Sequence, residues 1–441
     1  MFSSSILAAK QRCRSSIRAP LRSIRSRVFH ASTPQITLPP EWFASRQASP
    51  IRRFPDNGFN IIDSTTKVEE EKWPWYSSEA FYPARIGELL HSRYQIIGKL
   101  GYGGHSTAWL CRDLRAHKYV VAKICETVDF SAERELLAYT RIISLKSSHT
   151  GSSLLRKMLD TFEIGNRGQK HTCLIQEPLG MSLETCRSFF PDRKFPDIMM
   201  KSILKHLLIA LHFLHTEAGI VHTDLKAANV LFSISDEGIL KDYEDNQMTH
   251  PSARKTIGEN VIYASRELGW DKEVPGRPSR PTLIDFGEAR CGSDIHHGLI
   301  QPAAYRAPEV IFNMPWDSSV DIWSLGVLTW HLRYNELLFT TTPREGEDMA
   351  YHHEVPRMIE ELGMPPKEFI ERSDFPRLYI DDCGKSTGGR PTARVTPSPK
   401  RLIPSETASE DFIAFMKKML AWISEDRQSA EQLFEDAWLN S

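Results

Sequence analysis

His222-Thr223-Asp224-Leu225-Lys226-Ala227-Ala228-Asn229-Val230-Leu231 sets polar groups into an otherwise apolar run. A carboxylate, an ammonium two positions later and a carboxamide five positions after the carboxylate stand at Asp224, Lys226 and Asn229. The spacing suits a tight loop between a buried helix and a strand, where the three groups can hold a hydroxyl, a phosphate and a metal ion together. Upstream, apolar residues at 200, 203, 204, 207, 208, 211 and 214 follow the i, i+3, i+4, i+7 pattern of a helix with one buried face. Downstream, Thr282-Leu283-Ile284-Asp285-Phe286-Gly287 reads as an apolar strand ending in a carboxylate and a turn. From Tyr94 to about Phe162 the chain alternates short β-branched runs with turns, interrupted by one helical stretch, 132 to 142, and from residue 197 onward the pattern becomes helical. A small strand-rich lobe (94–176) followed by a larger helical lobe (180–441) is a two-lobed α+β fold.

The strand-rich half holds further polar groups. Leu100-Gly101-Tyr102-Gly103-Gly104-His105-Ser106-Thr107-Ala108-Trp109 lies between two predicted strands. Gly101 and Gly103 let backbone N–H groups approach phosphate oxygens closely. Val120-Val121-Ala122-Lys123 follows on the next strand. A charge inside an apolar run is expensive unless paired, so Lys123 either meets phosphates and a carboxylate or lies on the solvated face of an edge strand. Two glutamates on the next helix could orient it. Glu133 and Glu135 point to different sides, and the pattern Glu135-Leu136-Leu137 favours Glu135 as the inward one.

Bulk properties exclude little. The 441 residues carry 41% hydrophobic and 25% charged side chains and a formal net charge of -1, with no global bias toward nucleic acid or membrane. No uncharged apolar stretch of about 18 residues occurs, so no transmembrane helix is expected. The seven cysteines are scattered without a CxxC pair and read as free thiols. Residues 1–40 contain seven basic side chains, eight serines and no acid. That composition is one of a mitochondrial transit peptide or of a disordered basic tail. Residues 41–93 are rich in Pro and aromatics and should lie extended across a domain surface, rings in shallow grooves, with the folded unit beginning near Tyr94. Residues 236–280, polar and without clear period, read as an insertion, and 384–398 as a surface loop.

The chain resembles the protein kinases. His222–Asn229 is similar to their catalytic loop, with Thr223 where most carry Arg, and 100–109 to their glycine-rich loop, with Ser106 and Ala108 replacing Gly and Val. Asp285-Phe286-Gly287, Ala307-Pro308-Glu309 and Val320-Asp321-Ile322-Trp323 follow in the family's order, and Arg427 sits where the partner of Glu309 should be. Several runs resemble the SR-protein kinases, especially fungal forms: Gly101-Tyr102-Gly103 with Ser106-Thr107, Trp75-Tyr76, Phe81-Tyr82-Pro83, Arg85-Ile86-Gly87 and the insertion. The resemblance implies a serine/threonine kinase using ATP and Mg2+ on protein substrates, Arg/Ser-rich ones in that branch. Asp224 would act as base, Lys226 would neutralise the transferring phosphoryl group, and Lys123 with Glu135 would hold the α/β-phosphates. Asn229 and Asp285 would bind metal. Leu100, Gly101, Tyr102, Gly103, Gly104, Ala108, Ala122, Leu231, Glu177 and Leu179 would line the nucleotide site, the last two through hinge backbone groups, with Gln176 behind.

Thr223 cannot pair with an activation-segment phosphate, and Ser293 is the only Ser or Thr between Asp285 and Glu309. Activity without phosphorylation of that segment is therefore expected. Glu360-Glu361 and Asp381-Asp382 are candidates for an acidic groove that would take Arg-rich peptide. A monomer without direct nucleic-acid contact is expected. The rival readings are a pseudokinase acting as a scaffold and a kinase of the same branch with another substrate. The resemblance implies cytoplasm or nucleus, whereas the basic N-terminal segment suggests mitochondria.

Overall fold

A computed structural model describes residues 47–127, 130–166, 168–268, 279–292, 295–339, 354–373 and 409–441. The chain divides into Met1–Arg46, outside the described residues, and one compact unit, Gln47–Ser441.

The smaller lobe is a six-stranded antiparallel sheet. It contains β1 (Leu89–Leu90), β2 (Tyr94–Tyr102), β3 (Ser106–Asp113), β4 (Lys118–Cys125), β5 (Met158–Asn166) and β6 (Gln169–Gln176), in the order β1-β2-β3-β4-β6-β5. Between β4 and β5 runs α1 (Phe130–Leu145), longer at both ends than the predicted stretch. The sheet buries both faces, because successive side chains alternate across the pleat. Ile96, Trp109, Val120 and Ala122 pack in one cluster, Ile97 and Leu110 in another.

The insertion covers that second face, which its lack of period had hidden. The larger lobe starts with β7 (Leu179–Ser182), α2 (Asp197–Phe213), β8 (Ile220–Val221) and β9 (Val230–Ser233). Then α3 (Gly238–Thr249) and the hairpin β10 (Arg254–Ile257)–β11 (Asn260–Tyr263) return to the small lobe. Leu240 and Tyr243 of α3 pack on Ile97 and Leu110, and the Tyr243 hydroxyl donates to the Lys99 carbonyl at 3.0 Å. Residues 236–268 are thus an ordered bridge between lobes, and 269–278 lie outside the described residues.

The folded unit also begins earlier than Tyr94. Residues 47–88 dock through buried charge. Lys99 Nζ lies 2.7 Å from Glu69 and 2.5 Å from Glu70, and Lys255 lies 2.7 Å from Glu71. Phe81 is buried in its groove as expected, while Trp73 and Trp75 stay 40% and 48% exposed.

One substitution tests the bridge. A Cβ at Gly98 would stand 2.6 Å from the Tyr243 hydroxyl and 3.0 Å from its ring. That ring is buried and rigid, so Gly98→Ala should cost about 1–3 kcal/mol. Urea melts would measure it, and faster proteolysis within 236–268 should accompany it.

In the larger lobe α2 buries Met200, Ile203, Leu204, Leu207, Leu208 and Leu211, the predicted face. The stretch Pro191–Ala218 is apolar enough to pass as a membrane span, with mean hydropathy 1.3, but its apolar face lies in the protein core. A three-stranded sheet, β12 (Pro281–Leu283)-β9-β7, and the pair β13 (Arg290–Cys291)-β8 lie beneath the cleft. The helix α4 (Ser319–Tyr334) is buried nearly all round and so forms the centre of this lobe. The five described cysteines are free thiols. Glu361 is turned inward against Arg357 at 2.7 Å, and Glu360 pairs with the same guanidinium. Glu361 therefore does not serve an acidic surface groove. Asp381-Asp382 and the loop 384–398 lie outside the described residues.

Candidate active site

The site lies in a cleft of about 750 Å3 between the sheet and the larger lobe, within the usual range for small-molecule pockets. On its upper wall, β2 and β3 meet in the glycine-rich hairpin, where Gly101 pairs with Ala108 and the Gly103 N–H donates to the Ser106 carbonyl at 2.8 Å. Leu100, Gly101, Tyr102, Gly103, Gly104 and Ala108 all line the cleft.

Lys123 projects from β4 into the cleft. Its Nζ lies 2.6 Å from Glu135 Oε2 and 2.9 Å from Asp285 Oδ1. This excludes the solvated-edge alternative and selects Glu135 over Glu133. Burial works against charge on all three groups, but their mutual attraction offsets it for two. Lys123 is held above the usual lysine range by Asp285 and Glu135. Burial pushes Asp285 upward, but the Lys123 ammonium, His222 and the Gly287 N–H together hold it below the usual carboxylate range. For Glu135, burial wins and raises its pKa. The other Glu135 oxygen accepts from Gln176 Nε2 at 3.1 Å, so the back of the pocket holds the same glutamate from a second side.

Two expected contacts need correction. Ala122 is buried in the sheet cluster and does not line the cleft; Val121 does. Strand alternation is the reason, since Val121 and Lys123 share a face and Ala122 takes the other. Glu177 is also absent from the lining. Its N–H donates to the Lys157 carbonyl at 3.1 Å and its carbonyl accepts from Arg156 Nε at 3.1 Å. Leu179 and Leu231 do line the cleft.

The catalytic loop is braced from below. Asp321 of α4 accepts from the His222 and Thr223 N–H groups at 2.8 Å each and from His215 Nε2 at 2.8 Å. Thr223 sits at φ +66, a conformation a β-branched residue adopts only when its surroundings hold it there. Its hydroxyl donates to the Glu288 carbonyl at 2.6 Å, tying the loop to the segment after Asp285-Phe286-Gly287. Above the brace, Asp224 accepts from Lys226 Nζ at 2.8 and 2.9 Å and from Asn229 Nδ2 at 2.7 Å. Phe286 is fully buried between the Tyr139 and His222 rings, each centroid 5.3 Å away, and this packing leaves Asp285 facing Lys123. At the far end of the segment, Glu309 forms a two-pronged pair with Arg427 at 2.7 Å on each arm.

These distances join a lysine–glutamate pair, an aspartate before a buried phenylalanine and an aspartate–asparagine loop in one cleft. The protein kinase domain model matches residues 94–439. The chain belongs to the protein kinase family. A serine/threonine protein kinase of Aspergillus fumigatus is 38% identical over 395 residues, covering 89% of this chain and 96% of that one. The serine/threonine-protein kinase SRPK of Physarum polycephalum is 28% identical, covering 87% and 93%, and protein kinase dsk1 of Schizosaccharomyces pombe is 25% identical, covering 71% and 73%. A solved kinase domain superposes with a TM-score of 0.63 at 24% identity, covering 82% of this chain and 99% of that one, which shows the fold. The chain is accordingly a kinase of the serine/threonine class.

Sequence reasoning missed several members of this kinase's cleft. Arg156, Val121, Trp73 and Trp75 line it. Strand alternation could have found Val121. Nothing local in sequence marks Arg156 or the tryptophans, which arrive from distant segments.

Proposed function

We propose that this kinase transfers the γ-phosphoryl group of ATP to serine or threonine hydroxyls of Arg/Ser-rich proteins. The observation that carries the catalytic half is the ion-paired trio Lys123–Glu135–Asp285 facing Asp224, Lys226 and Asn229 across one cleft. Phosphoryl transfer asks a protein mainly for positioning and charge compensation, and these groups are of the right kinds. Lys123, oriented by Glu135, takes the α/β-phosphate oxygens. Asp224 accepts or orients the substrate hydroxyl proton, and Lys226 compensates charge on the phosphoryl oxygens.

The donor set fits magnesium. Asn229 commits its amide NH2 to Asp224, which leaves its amide oxygen as a ligand, and Asp285 keeps its second carboxylate oxygen beyond the one bonded to Lys123. One carboxylate and one amide oxygen completed by phosphates is a hard, oxygen-only set that suits Mg2+. Asn229 and Asp285 would hold the ion, which would supply positive charge against that of the phosphates. Against the pseudokinase reading, each of these polar groups is present and paired in the cleft.

The substrate class rests on the resemblance to SR-protein kinases and on the names of relatives such as the Physarum SRPK. It is tested with an Arg-Ser repeat peptide against a matched peptide in which Lys or Gly replaces Arg. Preference for the first supports the class; equal rates refute it. Activity should not need a phosphorylated activation segment, because the Thr223 hydroxyl already ties that segment to the catalytic loop. Ser293 itself lies outside the described residues. Ser293→Ala protein made in bacteria should keep turnover within about twofold, and a loss of tenfold or more would refute constitutive activity. The compartment is read by fusing residues 1–45 to a fluorescent protein: mitochondrial import supports the transit reading, diffuse or nuclear signal the family's usual compartments.

A further inference from the structure

Trp75 meets the tip of the glycine-rich hairpin from outside the kinase domain proper. Its indole Nε1 donates to the Gly104 carbonyl at 3.3 Å. The ring lies along the glycine, since a Cβ there would stand 3.7 Å from Trp75 Cζ2. Trp73 stacks on Trp75 with centroids 5.1 Å apart and planes 18° from parallel, and His105 lies beyond it at 6.5 Å. Both indoles line the cleft while staying roughly half exposed, so core burial does not explain their position.

The segment carrying them is held on either side. Before it, Glu69, Glu70 and Glu71 are fixed by the buried Lys99 and Lys255 ammoniums, and the Ser265 hydroxyl bonds Glu69 at 2.7 Å. After it, Tyr76 packs on the buried Phe81, and the Ala80 carbonyl accepts from the Thr127 N–H at 3.0 Å beyond the end of β4. The hairpin tip is held to the sheet by His105 on Glu126 at 2.6 Å and by the Glu126 N–H on the His105 carbonyl at 2.9 Å, while its Gly104 meets the extension through Trp75. It carries Gly101, Gly103 and Gly104, whose freedom at φ and ψ favours motion. Loops of this kind gate substrate entry and product release.

We propose that Trp75 is a positioning residue: through its indole N–H and ring it tethers the glycine-rich hairpin to the rigid N-terminal extension and so sets how readily the nucleotide site opens. The tether rests on the reading of that hairpin as the cover of the ATP phosphates. Lys99 strengthens the link, because it ends the buried ion-pair cluster on β2 only two residues before Gly101. The extension thereby reports its docking directly to the hairpin.

The test uses the full chain with Trp75→Ala and Trp75→Phe. Losing one such hydrogen bond and a ring contact should raise the KM for ATP and the Kd for Mg-ADP by about 3- to 10-fold. The kcat should hold or rise, since product release often limits turnover. Trp75→Phe, which keeps a ring but loses the N–H, should fall between. Amide exchange in residues 101–106 should quicken in Trp75→Ala while the rest of the sheet stays as in wild type. Unchanged KM, Kd and exchange in Trp75→Ala would overturn the tether. So would a drop of kcat and melting temperature together in both variants, which marks a merely structural role. If wild type itself takes up no Mg-ADP, the reading of the hairpin fails rather than the tether.

Discussion

Asp224→Asn should lower kcat by about 10²–10⁴ while leaving the fold intact, the range expected for loss of a positioned acid–base group. The substitution keeps the shape of the side chain and removes its charge. Asp224 binds Lys226 through both oxygens and takes the Asn229 amide on one of them. An amide in its place can still accept one of these bonds, so the loop should hold its form. Its brace lies elsewhere, in Asp321 beneath His222 and Thr223. What is lost is the anionic acceptor aimed at the incoming hydroxyl. The loss should appear in kcat with the KM for ATP little changed, because Lys123 and the glycine-rich hairpin, proposed above to hold nucleotide, are untouched. The measurement is single-turnover phosphorylation of an Arg-Ser peptide with a melting curve on the same sample. A variant that keeps more than a tenth of wild-type kcat would remove Asp224 from the chemistry.

Glu309→Ala should destabilise the kinase by about 3–5 kcal/mol, the usual result of leaving one member of a buried ion pair uncompensated. The Arg427 side chain is 0% exposed and that of Glu309 4%. Both arms of the guanidinium bond the carboxylate, Nε donates to the Ala421 carbonyl at 3.1 Å, and the Trp323 ring lies 5.0 Å away. Water therefore cannot replace the lost carboxylate without opening the core of the larger lobe. The control is Glu309→Leu combined with Arg427→Met. Removing both charges together should cost less than either single change, since no orphaned charge remains. Urea melts of wild type, Glu309→Leu, Arg427→Met and the double variant close the cycle. A cost under about 1 kcal/mol for Glu309→Ala would mean that the pair is solvated or dispensable.

Much of the catalytic machinery was legible in sequence because phosphoryl transfer fixes the kind and order of its polar groups. Asp224, Lys226 and Asn229 sit within one loop, and their convergence needs only local backbone geometry. Lys123 was legible because a cation inside Val120-Val121-Ala122 demands a partner, and the helical offset between Glu133 and Glu135 named it. Ala122 came from the resemblance, and strand alternation, with Val121 and Lys123 on one face, gives Val121 instead. Glu177 was drawn from a resemblance in which hinge backbone groups face the base; here Lys157 and Arg156 engage them.

The sequence by itself therefore determined the two-lobed α+β architecture, the helix face of α2 and the chemical groups of the cleft, since each follows from a periodicity or a short motif. Only the tertiary structure decided what covers the small lobe. Residues 236–268 carry no period because their partners are not their own neighbours: Tyr243 answers Gly98, and Lys255 answers Glu71. It also decided that Glu361, paired with Arg357 one helical turn away, faces inward, and that Trp75 reaches Gly104, 29 residues further along the chain. Burial and charge pairing over such distances depend on where the backbone brings two surfaces together, and no local pattern along the chain records that.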